Sequence, residues 1–134
     1  MKYLIIDDNE TFAKQLFKQL TGNESNSEND TLKPSSENLN ELAESIKSII
    51  NGNNDVVLCI NVNLEAGKDS RQLQKGIELL IWLRIKDVLN HVVLYSFETL
   101  HAILNRNPKH HVATSKGTSF VQLPELFKRI DSAV

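Results

Sequence analysis

Residues 56 to 62, VVLCINV, form an almost continuous apolar run, and this run constrains the fold more than any other feature of the sequence. A strand with one solvated face alternates apolar and polar residues, whereas this run offers apolar side chains to both faces. Strands of this kind lie inside parallel sheets that helices cover on both sides. The sequence therefore predicts an α/β protein with a buried parallel sheet.

The rest of the chain alternates short apolar runs with segments of helical periodicity. The apolar runs predict further strands at 3–6, 91–96 and 119–123, and a short, irregular strand at 31–33 would complete the sheet. Apolar spacing predicts helices at 10–20, from a cap at Ser35 or Ser36 to 50, at 76–88, at 97–105 and from Pro124 to 130. This order predicts a doubly wound sheet, in which ligands bind beyond the carboxyl ends of the strands.

Composition narrows the class of protein. A chain of 134 residues with 40% hydrophobic content predicts a single domain, 1–134, with one core. A formal charge of -2, with Lys and Arg dispersed, argues against nucleic-acid binding. The start MKYLIIDD is neither a signal peptide nor a membrane span, and Cys59 lies alone in an apolar run, so a cytoplasmic protein without membrane contact is expected. Residues 21–38, with Leu32 as their single large apolar side chain, are predicted to form a mobile polar loop.

Polar side chains stand at the ends of three predicted strands. Asp7 and Asp8 follow the first strand, Asn61 ends the third, and Ser96 ends the fourth. Because the carboxyl ends of parallel strands converge, these four residues are expected to line one pocket. The two carboxylates could hold a weak Mg²⁺ site, or they could cap the next helix and face water. Asn61 could instead hydrogen-bond Asp8 or a backbone amide and close the crevice.

These residues occur within a recognisable pattern. YLIIDDNETFAKQL resembles the opening of response-regulator receiver domains, in which an acidic pair after the first strand holds a magnesium ion. DVVLCINVNLEAG is similar to the third strand of that family, GIELLIWLR to the next helix, HVVLYS to a fourth strand ending in Ser or Thr, and GTSFVQLPELFKRI to the last strand and helix. The resemblance covers nearly the whole chain outside 21–38. It implies a five-stranded flavodoxin-like sheet of order 2-1-3-4-5.

Two positions depart from the receiver pattern. Asn61 stands where the family has its phosphorylated aspartate, and an amide is a poor nucleophile. Leu123 stands where the family has a lysine just before the proline, and Lys116 lies in the preceding loop, where nothing indicates that it substitutes. Phe120 matches an aromatic position of the family and is a switch-like candidate, although it and Tyr95 could simply fill core or rim space.

The resemblance and its departures together imply a pseudo-receiver. Such a domain would be non-enzymatic, would belong to two-component or phosphorelay signalling, and would act through protein-protein contacts without phosphorylation on Asp. Its partners would be other signalling proteins or a fused output domain, with the 97–130 face as a candidate homodimer surface. The alternative is a ligand- or metal-responsive regulatory domain that uses the crevice of Asp7 and Asp8. A third hypothesis is a phosphotransfer enzyme with Ser96 or Asp69 as acceptor.

Overall fold

The computed structural model describes residues 2–22, 30–34, 38–62, 64, 75–106 and 116–123. In these residues, five parallel strands alternate with four helices, and the sheet has the order β2-β1-β3-β4-β5. The strands are β1 (Lys2–Ile6), β2 (Thr31–Leu32), β3 (Val56–Asn61), β4 (Val92–Ser96) and β5 (Thr118–Gln122). The helices are α1 (Glu10–Thr21), α2 (Leu39–Ile50), α3 (Lys75–Ile85) and α4 (Leu100–Arg106). This is the flavodoxin-like strand order, so the predicted fold class is confirmed.

The central strand β3 explains why the sheet is covered on both faces. Leu58 and Ile60 point into a core formed with α2 and α3, and Val57 and Cys59 point into a second core formed with α1. Alternation along a strand sends neighbouring side chains to opposite faces, so a fully apolar strand needs helices on both sides. Burial raises the pKa of the Cys59 thiol to about 12, so Cys59 is a neutral core residue at neutral pH.

Local hydrogen bonds set two helix starts that the sequence placed elsewhere. The predicted caps Ser35 and Ser36 are wrong, because α2 begins after Asn38, whose side-chain oxygen accepts the Glu41 amide at 3.2 Å. The helix predicted from residue 97 begins at Leu100, because the Thr99 hydroxyl accepts the Ala102 amide at 3.1 Å. Both starts depend on which of several neighbouring polar residues caps the helix.

The end of α3 also differs from the prediction. The Val88 amide donates to Leu83 O at 2.9 Å and the Asp87 amide to Arg84 O at 3.1 Å, with Asp87 at a φ of 61°. These paired bonds around a left-handed residue form a Schellman motif, which ends the helix at Ile85 instead of 88.

Arg84 and Asn90 join the segments that lead into the strands. Arg84 Nη1 donates to Val88 O and Asn90 O, and Arg84 Nη2 donates to Gly117 O at 3.3 Å. Asn90 Nδ2 donates to Asn53 O and Val56 O, each at 2.9 Å. This Arg84–Asn90 clamp links the segments that immediately precede β3, β4 and β5, which we call the entries to these strands. The sequence did not indicate it.

Several predictions concern residues outside those that the structure describes. They are the helix from Pro124 to 130, the Asp69 acceptor, and 23–29 and 35–37 of the predicted mobile loop. Across the described ranges, no helix has both the length and the apolar character that a membrane crossing requires.

Gly76 sets how closely α3 approaches the end of β3. The Gly76 amide donates to Val62 O at 3.0 Å, and a Cβ on Gly76 would overlap the Asn61 carbonyl oxygen and lie 2.7 Å from Val62 Cα. Backbone atoms cannot swing aside as a side chain can, so only glycine fits here without moving the helix.

We expect Gly76→Ala to lower the free energy of unfolding by about 2 kcal/mol or more, because the added methyl group must push α3 away from β3. Urea denaturation measures this change. Ser48→Ala, at an exposed position of α2, is the control and should change stability by less than about 0.5 kcal/mol. Equal stability of Gly76→Ala and the parent would show that α3 does not approach β3 this closely.

Candidate functional site

A buried carboxylate lies at the carboxyl edge of the sheet. Asp7 directly follows β1 and is 2% exposed. Its Oδ2 accepts the Tyr95 hydroxyl at 2.6 Å and the Asn61 amide Nδ2 at 3.2 Å, and its Oδ1 accepts the Asn9 amide at 2.9 Å. An ionised carboxylate only accepts hydrogen bonds, so three converging donors match the charged form. We call Asp7, Asn61 and Tyr95 the carboxylate triad.

The Asn61 side chain is oriented by this carboxylate. Ile6 pairs with Ile60 in the parallel register of β1 and β3, so Asp7 and Asn61 are one step further along the same two strands. Because Asp7 offers only acceptors, the Asn61 amide nitrogen faces it and the amide oxygen points elsewhere. The predicted closeness of the two residues is therefore present, and the contact goes to Asp7, although the hydrogen bond that the sequence suggested was to Asp8.

Tyr95 contacts Asp7, which the sequence did not indicate. Asn61 and Tyr95 are register partners in β3 and β4, so their side chains leave the same face of the sheet. The Tyr95 ring is buried in the α1 core beside Phe12, with ring centroids 6.0 Å apart, and its hydroxyl reaches Asp7. Tyr95 thus fills the core, as one hypothesis held, and also supplies the shortest of the three hydrogen bonds to Asp7.

Ser96 is directed away from the carboxylate triad. It follows Tyr95 in β4, and alternation along the strand places its side chain on the opposite face of the sheet. Ser96 is buried, and its Oγ accepts the Glu98 amide at 3.0 Å. Of the four predicted pocket residues, the structure therefore joins Asp7 to Asn61, while Ser96 shapes the turn after β4.

Leu123 and Phe120 are both part of the hydrophobic interior. Leu123 is 9% exposed and packs in the core cluster that contains Tyr95, and its amide donates to Ser96 O at 2.8 Å. Phe120 is half-buried and packs against the core on the α2 and α3 side of the sheet. The position that a receiver gives to its lysine is thus apolar and packed, and a charged side chain there would have to lose its hydration.

One carboxylate of the acidic pair, Asp7, is engaged in the fold through its hydrogen bonds. Both lone pairs of Asp7 Oδ2 are met by the Tyr95 and Asn61 donors, and a cation at this oxygen would have to displace one of them. Asp8 is half-buried beside Asp7 in the chain. No group of three or more His, Cys, Asp or Glu side chains suited to a metal occurs among the residues described. A magnesium ion at Asp7 Oδ2 would therefore cost the site the hydrogen bond from Tyr95 or the one from Asn61.

Comparisons with protein-family models, with curated proteins and with solved structures each find no match.

The Tyr95 hydroxyl is predicted to stabilise the fold. Tyr95→Phe removes a donor from a buried carboxylate and should lower the free energy of unfolding by about 1–3 kcal/mol. Tyr3→Phe is the matched control, because the Tyr3 hydroxyl makes no hydrogen bond within the described residues and its loss should be nearly neutral. Urea denaturation compares the two variants. Equal stability of both would show that the Tyr95 hydroxyl does not bind Asp7 in solution.

Asn61→Asp should lower the free energy of unfolding near pH 7 by about 2–4 kcal/mol, because a donor is lost and a second carboxylate is placed against Asp7. Asn53→Asp is the control and should be nearly neutral, since Asn53 uses its side-chain oxygen as an acceptor, at 3.0 Å from the Asp55 amide. Thermal melting in chelator measures both variants.

The pH dependence of the Asn61→Asp deficit has a definite sign. Repulsion makes the folded variant bind a proton more readily than its unfolded chain, so the variant loses stability relative to the parent as pH rises. The deficit should therefore shrink as pH falls, because protonating either carboxylate removes the repulsion. A deficit that stays constant with pH would contradict a direct contact between positions 7 and 61.

Proposed function

We propose that this chain is a pseudo-receiver, a non-enzymatic signalling domain that acts through protein-protein contacts and is not phosphorylated on Asp. The observation that carries the proposal is the hydrogen bond from Asn61 Nδ2 to Asp7 Oδ2, 3.2 Å long, at the carboxyl edge of a flavodoxin-like sheet. An amide at the end of β3 here acts as a donor to the carboxylate at the end of β1. A phosphoacceptor at the same position would need a nucleophilic oxygen instead of an amide that donates a hydrogen bond.

The chemistry of Asn61 supports the absence of phosphoryl transfer. An amide nitrogen is a poor nucleophile, and the Asn61 nitrogen is already engaged with Asp7. Phosphoryl transfer also depends on cations that neutralise the charge developing on the phosphoryl oxygens. Leu123 is the apolar residue at the position of the receiver lysine, and Asp7 Oδ2 is occupied by two donors. Nucleophile and lysine are thus replaced by an amide and an apolar side chain, while one oxygen of the retained Asp7 is engaged in the fold.

A domain that neither transfers a phosphoryl group nor opens its crevice can still transmit a signal through its surface. The expected partners are other signalling proteins or a fused output domain, and the 97–130 face is a candidate surface for such contacts.

A phosphorylation assay tests the proposal. The parent chain, incubated with acetyl phosphate and Mg²⁺ at neutral pH, should show no phosphoryl adduct by intact mass spectrometry. Asn61→Gln, which keeps an amide, is the matched control for any adduct found. A stoichiometric adduct on the parent that persists in Asn61→Gln and is lost in Asp7→Asn or Asp8→Asn would overturn the proposal, because an Asp would then carry it, and an adduct lost instead in Ser96→Ala would favour the phosphotransfer hypothesis.

The ligand- or metal-responsive alternative makes a different prediction. Titration calorimetry with Mg²⁺ and with a panel of phosphorylated metabolites should give no saturable heat if the crevice is closed. Saturable heat that is lost in Asp8→Asn would favour the alternative. Asp8→Asn is the better probe than a change at Asp7, because Asp7 carries the hydrogen bonds of the buried network.

A further inference from the structure

The outer face of α3 is apolar where a surface helix is normally polar. The inner side of the helix is buried and includes Ile77, Leu80 and Leu83. On the opposite side, Trp82 is 36% exposed and Ile85 is 66% exposed, and Leu89 just beyond the helix is 70% exposed. A helix that is apolar on all sides is normally buried on all sides. The outer face of α3, formed by Glu78, Ile81, Trp82 and Ile85 together with Lys86 just beyond the helix end, therefore has the character of a contact surface.

Charges flank this apolar face in a self-complementary order. Glu78 is exposed one turn before Trp82, and Lys86 follows one turn after it. In two α3 helices packed antiparallel about an axis at Trp82, Glu78 of each copy faces Lys86 of the other. Lys75, the other charged residue on this side, then falls opposite Leu89 and meets no like charge. A surface that pairs its own two ends in this way suits a twofold contact.

The positive end of this face is fixed in place before any contact forms. Lys86 Nζ lies 2.7 Å from Glu44 of α2, 6.0 Å from the centroid of the Trp82 ring, and its side chain is only 15% exposed. Lys86, mainly through its hydrogen bond, and more weakly Lys47 hold the pKa of the Glu44 carboxyl below its usual range. Glu44, Lys47 and Lys86 together carry one net positive charge, and Lys86 gives up little side-chain freedom when a carboxylate approaches.

We propose that the outer face of α3 binds a second copy of this chain, as an antiparallel twofold contact centred on Trp82. Ile85 of each copy packs beside Trp82 of the other, and Glu78 pairs with Lys86 at both ends. The contact is formed by α3 and the residues just after it, which precede residue 97 in the chain, so it is a different surface from the 97–130 face. It does not depend on the crevice and stands whether or not the chain is a pseudo-receiver.

Sedimentation equilibrium of the 134-residue chain over a wide concentration range tests the contact. The parent should show a reversible dimer, and Ile85→Glu should raise the dimer dissociation constant by about tenfold or more, because a carboxylate is buried at the centre of the contact. Leu20→Glu, at an apolar position of α1 that is 44% exposed, is the matched control and should leave dimerisation unchanged. Thermal melts establish that each variant remains folded.

A charge exchange tests the antiparallel arrangement. Glu78→Lys makes both ends of the face positive and Lys86→Glu makes both ends negative, so each variant alone should dimerise about threefold or more weakly than the parent. An equal mixture of the two should recover dimers, since each Lys then faces a Glu.

Three outcomes would overturn the proposal. They are a parent that stays monomeric at every concentration, a dimer that persists in Ile85→Glu, and a mixture no tighter than its separate variants. Dissociation by Val121→Glu on β5, with Ile85→Glu unaffected, would transfer the contact to the 97–130 face.

Discussion

A carboxylate that is buried away from water needs hydrogen-bond donors from the protein. Asp7 is such a carboxylate, and it lies at the carboxyl ends of the central strands. Its donors come from the turn before α1, the end of β3 and the end of β4. Asn9, which supplies one of them, also caps α1 through the Phe12 amide at 2.9 Å. The Asp7 side chain thereby fixes the positions of β1, β3, β4 and α1 relative to one another. Losing any of these donors costs more than each bond contributes by itself, because the charge stays buried.

Much of this arrangement could be predicted from the sequence, because its causes are local. The apolar run of β3 requires cover on both faces, and helical spacing in the neighbouring segments supplies that cover. The convergence of Asp7 and Asn61 follows from their positions just at the ends of parallel strands, whatever the details of packing. The strand order came from the resemblance to receivers, since the alternation of elements does not by itself choose an order.

Two features could not be predicted from the sequence: the partner of Asp7, which depends on strand register, and the cap of α2, for which several similar residues compete. Tyr95 and Ser96 are neighbours in β4, and each carries a hydroxyl group. A shift of one residue in the pairing of β4 with β3 would exchange the faces of the sheet to which the two side chains point. Resemblance favoured Ser96, and the pairing of Asn61 with Tyr95 placed the phenol at Asp7. The cap of α2 was equally hard to predict, because Ser35, Ser36 and Asn38 are all residue types that can cap a helix. The structure has Asn38 as the cap.

The two ends of the sheet are held together by different chemistry. At the carboxyl end the common acceptor is the Asp7 side chain, which loses acceptor capacity when it takes up a proton. At the other end Arg84 and Asn90 donate to backbone carbonyls, which do not titrate, and an arginine keeps its charge at any acidity a protein meets. The segments that precede β3, β4 and β5 are therefore joined through several separate carbonyls, whereas the opposite ends of β1, β3 and β4 share a single side chain, so one substitution at Asp7 removes every one of these carboxyl-end bonds at once.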